Sequence, residues 1–175
     1  SVSDAALVCG LQWQSKMWFG DGGSVKVWDG STLQQWGFPA PQPLVFVGEI
    51  GSGGNLFNGK TYYLGYSLFA PVSKEETSVS GAIFRLMVGA GNQLLIEAQI
   101  PAQTIPARFT RARVYRSAAD ELVMKREIEV SYSGAAYNVI IGTKADSDLG
   151  TVASTTKNPP PQLERFLLFE GRLFG

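Results

Sequence analysis

The chain has 175 residues, with fifteen Lys and Arg against fifteen Asp and Glu, no histidine and one cysteine, and 45% of it is apolar. That is enough apolar material for a core and argues against global disorder, while zero net charge without a basic block leaves no electrostatic footprint for nucleic acid or an anionic membrane. Without histidine, Ser-His-Asp and Cys-His catalysis, His-ligated zinc and the usual neutral-pH proton shuttle fall away, and Cys9 alone can form neither an internal disulfide nor a multi-thiolate metal site.

Ser1 to Val8 lacks both the basic leader and the apolar length of a signal peptide. No window approaches the run of about 18 apolar residues that a membrane helix needs. The expectation is a soluble protein of a reducing compartment, with Cys9, between Val8 and Gly10, as a small buried thiol.

Twenty glycines and nine prolines punctuate the chain at short intervals, and the stretches between them alternate with period two or are short apolar runs. Lys16–Phe19 and Val25–Trp28 flank Gly20-Asp21-Gly22-Gly23 and predict a hairpin, and a second turn at Asp29-Gly30-Ser31 leads on to Leu33 and Trp36. Phe38 to Pro43 carries three prolines and cannot feed a ladder, which marks a module boundary. Leu44–Ile50 predicts the next strand. Lys60–Phe69 is the clearest of all, with Tyr62, Leu64, Tyr66 and Leu68 on one face and Tyr63, Gly65, Ser67 and Phe69 on the other.

Pro71 ends that strand, and Ser73–Ser78 reads as a charged tip. Ala82–Val88, Gln93–Ile100, Arg108–Ser117, Glu121–Tyr132 and Ala136–Ile141 complete a set of seven strands. In the fourth of these five, Leu122, Met124, Ile128 and Val130 are expected on one face and Lys125, Glu127 and Glu129 on the other. Turn signals every 8–12 residues over such a span are the pattern of an antiparallel β-sandwich. After the prolines at Pro159-Pro160-Pro161, Arg165–Phe169 and Arg172–Phe174 flank a turn at Glu170-Gly171 and predict a closing hairpin, whose last strand should find a neighbour to pair with.

Few groups on this frame carry chemistry. Gly51-Ser52-Gly53-Gly54 and Gly89-Ala90-Gly91 lack the Lys-Ser/Thr and helix of a phosphate loop and read as turn glycines. The carboxylate pairs Glu75-Glu76, Asp120-Glu121, Glu127/Glu129 and Asp146/Asp148 fall at tips or on wet strand faces, as solvated decoration. A glycosidase would need such a pair facing across a cleft, and Asp146-Ser147-Asp148 has no third carboxylate nearby to hold Ca²⁺. Neither a catalytic residue, a cofactor nor a metal is expected. Trp13, Trp18, Trp28 and Trp36 fall within the first forty residues, as hairpin core, interface or sugar platform. Arg111 and Arg113 share a strand face, as a solvated stripe or an inter-subunit ion pair.

Asn58-Gly59-Lys60-Thr61-Tyr62-Tyr63-Leu64-Gly65-Tyr66-Ser67 with Glu75-Glu76-Thr77-Ser78, the Arg111–Ser117 strand, Tyr137 and the exit Lys144 to Gly150 resemble a fibronectin type III-like (immunoglobulin-like) module of tailed-bacteriophage structural proteins. Phe19–Gly23 with Lys26–Gly30 is similar to blade-like hairpins of phage tail and neck proteins, and Glu170–Phe174 to the strand that begins the next such unit. The resemblance implies an all-β chain: a Trp-rich hairpin arm at 1–42, a seven-stranded antiparallel sandwich at 43–150, and a Pro-rich linker with a hairpin arm at 151–175. It implies a virion component assembled in the bacterial cytoplasm, whose partners are other virion proteins and its own copies. The arms would add strands to neighbouring sheets, many weak contacts gaining strength from symmetry. Trp18, Trp28, Trp36, Arg111, Arg113, Phe166, Phe169 and Phe174 are the candidate interface residues. The alternative role is an adhesin that binds a receptor or host-surface glycan.

Overall fold

Strands account for almost all of the regular structure, as the period-two pattern and turn glycines dictate. The computed structural model describes residues 9–13, 16–20, 25–28, 30–31, 33–35, 40–88, 93–154, 167–169 and 172–174. The chain divides into two compact units, Ser1–Phe38 with Asn158–Gly175, and Pro39–Lys157, so that both terminal stretches fall in the same unit.

In the first unit, β1 (Cys9–Trp13), β2 (Lys16–Gly20), β3 (Lys26–Trp28) and β4 (Leu33–Gln35) form an antiparallel meander in chain order. Strands β2, β3 and β4 fall where strands were expected, β2 running one residue into the expected turn at Gly20, and β1 is an addition. Between β3 and β4, Gly30 takes a φ of 102°, which its missing Cβ permits.

The second unit holds β5 (Val45–Ile50), β6 (Thr61–Ala70), β7 (Glu75–Glu76), β8 (Ile83–Leu86), β9 (Leu95–Ile100), β10 (Arg111–Ser117), β11 (Met124–Ser131) and β12 (Tyr137–Ile141). One sheet runs β11-β10-β6, with β7 and β8 both pairing with β6; the other runs β12-β9-β5. All pairings are antiparallel. The all-β antiparallel class is therefore as expected. The short strand β7 pairs where a charged tip was expected: Phe69 faces Glu76 and Ala70 faces Glu75. The strand order also differs from the ABED-over-CFG order of an immunoglobulin sandwich, because β5, the first strand of the unit, pairs with β9 in the three-stranded sheet and not with β6.

The core lies between these sheets. Tyr62, Leu64, Tyr66 and Leu68 of β6, Ala112 and Val114 of β10, and Ile96, Ala98 and Ile100 of β9 are fully buried. Each large aliphatic among them contributes about 1.5–3 kcal/mol. Strand β6 is covered on its other face as well, for Gly65, Ser67 and Phe69 are buried too. Where the chain leaves the ladder between β7 and β8, two hydroxyls replace backbone partners. Thr77 Oγ1 accepts from the amide of Leu68 at 3.0 Å and Ser80 Oγ from that of Tyr66 at 3.1 Å.

One expected face assignment is overturned. Val114 opposes Ile128 and Tyr115 opposes Arg126, so Glu127 is the extra residue of a β-bulge. The bulge breaks the alternation and turns Glu127 inward, where it is buried rather than on the wet face. It also separates Met124 from Ile128 and Val130: Met124 Sδ lies over Gly65, on the face of β6 away from the sheet–sheet core. Asp146 is likewise no free decoration, since it holds the side chain of Arg116 and, through Oδ2, the amide of Ala119 at 3.0 Å. The first unit is completed by β13 (Leu167–Phe169) and β14 (Arg172–Phe174), an antiparallel hairpin as the sequence predicts.

Candidate interaction site

In the meander, Met17 of β2 lies opposite Trp28 of β3, and Trp28 lies opposite Leu33 of β4. Residues directly opposite one another share a face, so the three make a row across three strands. They are 38%, 40% and 56% exposed, respectively. One position along β2, on the other face, Trp18 is only 5% exposed. The sheet thus buries one tryptophan and presents the other beside two further apolar side chains. An exposed apolar row of this kind is what association surfaces offer, and tryptophan is a frequent anchor in them.

The other candidate interface residues fall differently. Trp36 and Phe166 lie outside the described residues, as does the expected linker at 155–161. Phe169 stands opposite Arg172 and Phe174 opposite Leu167 in the β13–β14 pair. Arg113 is engaged within its own chain. Its Nε donates to Glu129 at 2.8 Å and an Nη to Glu76 at 3.0 Å, and its guanidinium sits 3.3 Å above the Phe69 ring. Glu76 also accepts from the hydroxyls of Ser67, at 2.7 Å, and Tyr115. Burial, with the bond to Glu76, pushes the Tyr115 phenol up to about 12. Next to this cluster Arg108 makes a two-pronged pair with Glu75 at 2.7 and 3.1 Å.

Arg111 differs from the others. It is exposed, and an Nη donates to Ser131 Oγ at 3.0 Å. It lines an open groove formed by the approach to β10, the end of β11 and the start of β12. Thr110, Ser131, Ser133 and Tyr137 also line it and are exposed, Tyr137 to 44%, together with the buried residues Phe109 and Tyr132. Main-chain bonds hold the walls: Tyr132 N–H to Thr110 at 3.0 Å, Gln103 N–H to Gly134 at 2.8 Å and Phe109 N–H to Pro106 at 3.0 Å. The Tyr132 hydroxyl donates to the Pro101 carbonyl.

This groove is not legible in the sequence, because its lining comes from three separated segments. Nor is the buried pair Arg116–Glu127, which an inward-turning bulge creates. Among the described residues no group of three or more Cys, Asp or Glu is placed to hold a metal ion. No helix among them is long and apolar enough to cross a membrane. No family model, curated protein or solved structure matches the chain.

Proposed function

We propose that the chain is a non-catalytic assembly module of a bacteriophage particle, in the tail or neck, that docks onto neighbouring subunits through its first unit. The observation that carries the docking role is the Met17–Trp28–Leu33 row, apolar and open to solvent on a sheet whose opposite face buries Trp18. Placement in a virion rests on the short motifs that resemble tailed-phage structural proteins, and not on strand order. In a symmetric particle each copy would repeat a modest apolar contact, and multivalency would make the sum tight.

Sedimentation velocity on the full chain tests the docking role. The expected result is concentration-dependent association that Trp28→Ser with Leu33→Thr abolishes while the circular dichroism stays unchanged. A wild-type chain that remains monomeric at all concentrations, and fails to bind particles from which it has been depleted, would overturn it. Peptide mass spectrometry of purified particles tests the placement, which falls if the chain is confined to the soluble lysate.

A further inference from the structure

We infer that the groove between Thr110 and Tyr137 is a binding site for an acidic saccharide, with Arg111 taking its carboxylate. Arg85, Arg108, Arg113, Arg116 and Arg126 each have a carboxylate partner within their own chain. Among the described residues Arg111 has none, and its bond to Ser131 leaves most of its N–H donors unspent. Among the described residues no acidic side chain lines the groove, so an anion entering it meets one cation and no counter-charge there. A guanidinium matches a carboxylate with two parallel N–H donors.

The rest of the lining selects the body of the ligand. Thr110, Ser131 and Ser133 offer hydroxyls that both donate and accept, as an array of sugar hydroxyls requires. Tyr137 adds a half-open aromatic side chain that can pack on the C–H face of a sugar ring. An acidic peptide would satisfy Arg111 but would leave most of these hydroxyls without directed partners. The walls are tied by the main-chain bonds to Gly134, Thr110 and Pro106, and a buried floor supports them. Little ordering is then left for binding to supply. Gly134 contributes to the same rigidity: at its φ of 92° a Cβ would lie 2.7 Å from the Gln103 carbonyl oxygen. The site lies wholly within the second unit and does not depend on the docking role of the first.

Calorimetric titration of the full chain with a panel of oligosaccharides bearing uronic or sialic acid, with their neutral parents and with hexaglutamate, tests the assignment. At least one carboxylated saccharide should bind, and Arg111→Gln and Tyr137→Ala should each weaken it by about tenfold or more. Arg126→Gln, away from the groove, should leave binding unchanged, and circular dichroism should confirm that all variants fold. Three results would overturn the proposal: no carboxylated saccharide binding at millimolar concentration, equal binding of hexaglutamate, or binding indifferent to Arg111→Gln.

Discussion

Arg116 and Glu127 meet 2.8 Å apart with both side chains wholly out of solvent. The pair works because no buried side-chain nitrogen or oxygen among the described residues is left without a hydrogen-bond partner. Arg116 also donates to Asp146 and to the carbonyls of Ser117 and Lys144. Glu127 Oε1 accepts from the amides of Gly142 and Thr143, both at 2.7 Å, and from the Thr143 hydroxyl at 3.0 Å. One ion pair thereby ties β10 and β11 to the loop that leaves β12 in the opposite sheet. A buried pair of this kind gives little net stability over apolar residues, yet removing one member strands the other.

Glu127 therefore separates two effects. Glu127→Gln keeps a carbonyl oxygen for the Gly142 and Thr143 amides and leaves Arg116 its Asp146 partner, so a loss of about 1–3 kcal/mol is expected. Glu127→Leu removes the acceptor as well and should cost about 3–5 kcal/mol. Urea unfolding gives both values. Equal losses for the two variants would mean that the amides of the loop find no support in Glu127.

The hydroxyls that replace the ladder beside β6 make a second test. Thr77→Val preserves shape but leaves the buried Leu68 amide without its 3.0 Å acceptor, a cost of about 1–3 kcal/mol. Ser80→Ala does the same to the Tyr66 amide. Native-state hydrogen exchange should show the Leu68 amide less protected in the first variant and the Tyr66 amide in the second. Protection unchanged in both would show that these amides do not rely on the hydroxyls.

These cases mark what can be read from the sequence. The inward row Tyr62, Leu64, Tyr66 and Leu68 is legible because no bulge interrupts the pairing of β6 with β8 and β10, so its side chains keep their period of two. Glu127 is not, since a one-residue bulge reverses which face its side chain takes and leaves no compositional mark. Trp18 and Trp28 look alike in the sequence, and only the register between β2 and β3 decides which is buried and which open. Glu75–Glu76 misled for another reason: two adjacent glutamates favour solvent until Arg108, Arg113, Ser67 and Tyr115 supply partners from distant positions.

The glycine loop after β5 can be divided in the same spirit. A Cβ on Gly54 would stand 1.9 Å from the Leu94 carbonyl oxygen, and that backbone is fixed by its two-way bonds with Leu56 at 3.1 and 2.7 Å. A Cβ on Gly51 would meet nothing within 4 Å. Gly54→Ala should therefore destabilise by about 2–4 kcal/mol, and Gly51→Ala should stay within about 0.5 kcal/mol of wild type. Thermal unfolding of the two variants decides the matter, and equal midpoints would refute the close approach.

At the turn between β10 and β11, Asp120 takes a φ of 60°, unusual for a residue with a side chain. Its Oδ1 accepts from the Thr61 amide at 2.9 Å and its Oδ2 from Lys60 Nζ at 2.7 Å. The bond to Lys60, then that to Thr61, holds the Asp120 carboxyl below its usual 3.8, and the Asp120 bond raises Lys60 above 10.5. A carboxyl depressed in the folded state stabilises above its unfolded value, and that gain is lost as pH falls through the folded value. A raised ammonium stabilises below its unfolded value and loses its effect as pH rises beyond it. Tyr115 follows the second rule: burial lifts it from 10.0 to about 12, so its contribution is complete below pH 10.0 and is lost as pH rises through about 12. Both members of the Lys60–Asp120 pair are half-exposed, so salt should weaken their part and spare that of Tyr115. Asp120→Asn tolerates the left-handed backbone and keeps an acceptor for Thr61, so it should flatten the acid limb of the stability profile and leave the tyrosine-dependent alkaline loss in place. Unfolding midpoints across pH at low and high salt, with tyrosinate absorbance followed in parallel, measure both limbs. An acid limb that is identical in wild type and Asp120→Asn would remove Asp120 from the account.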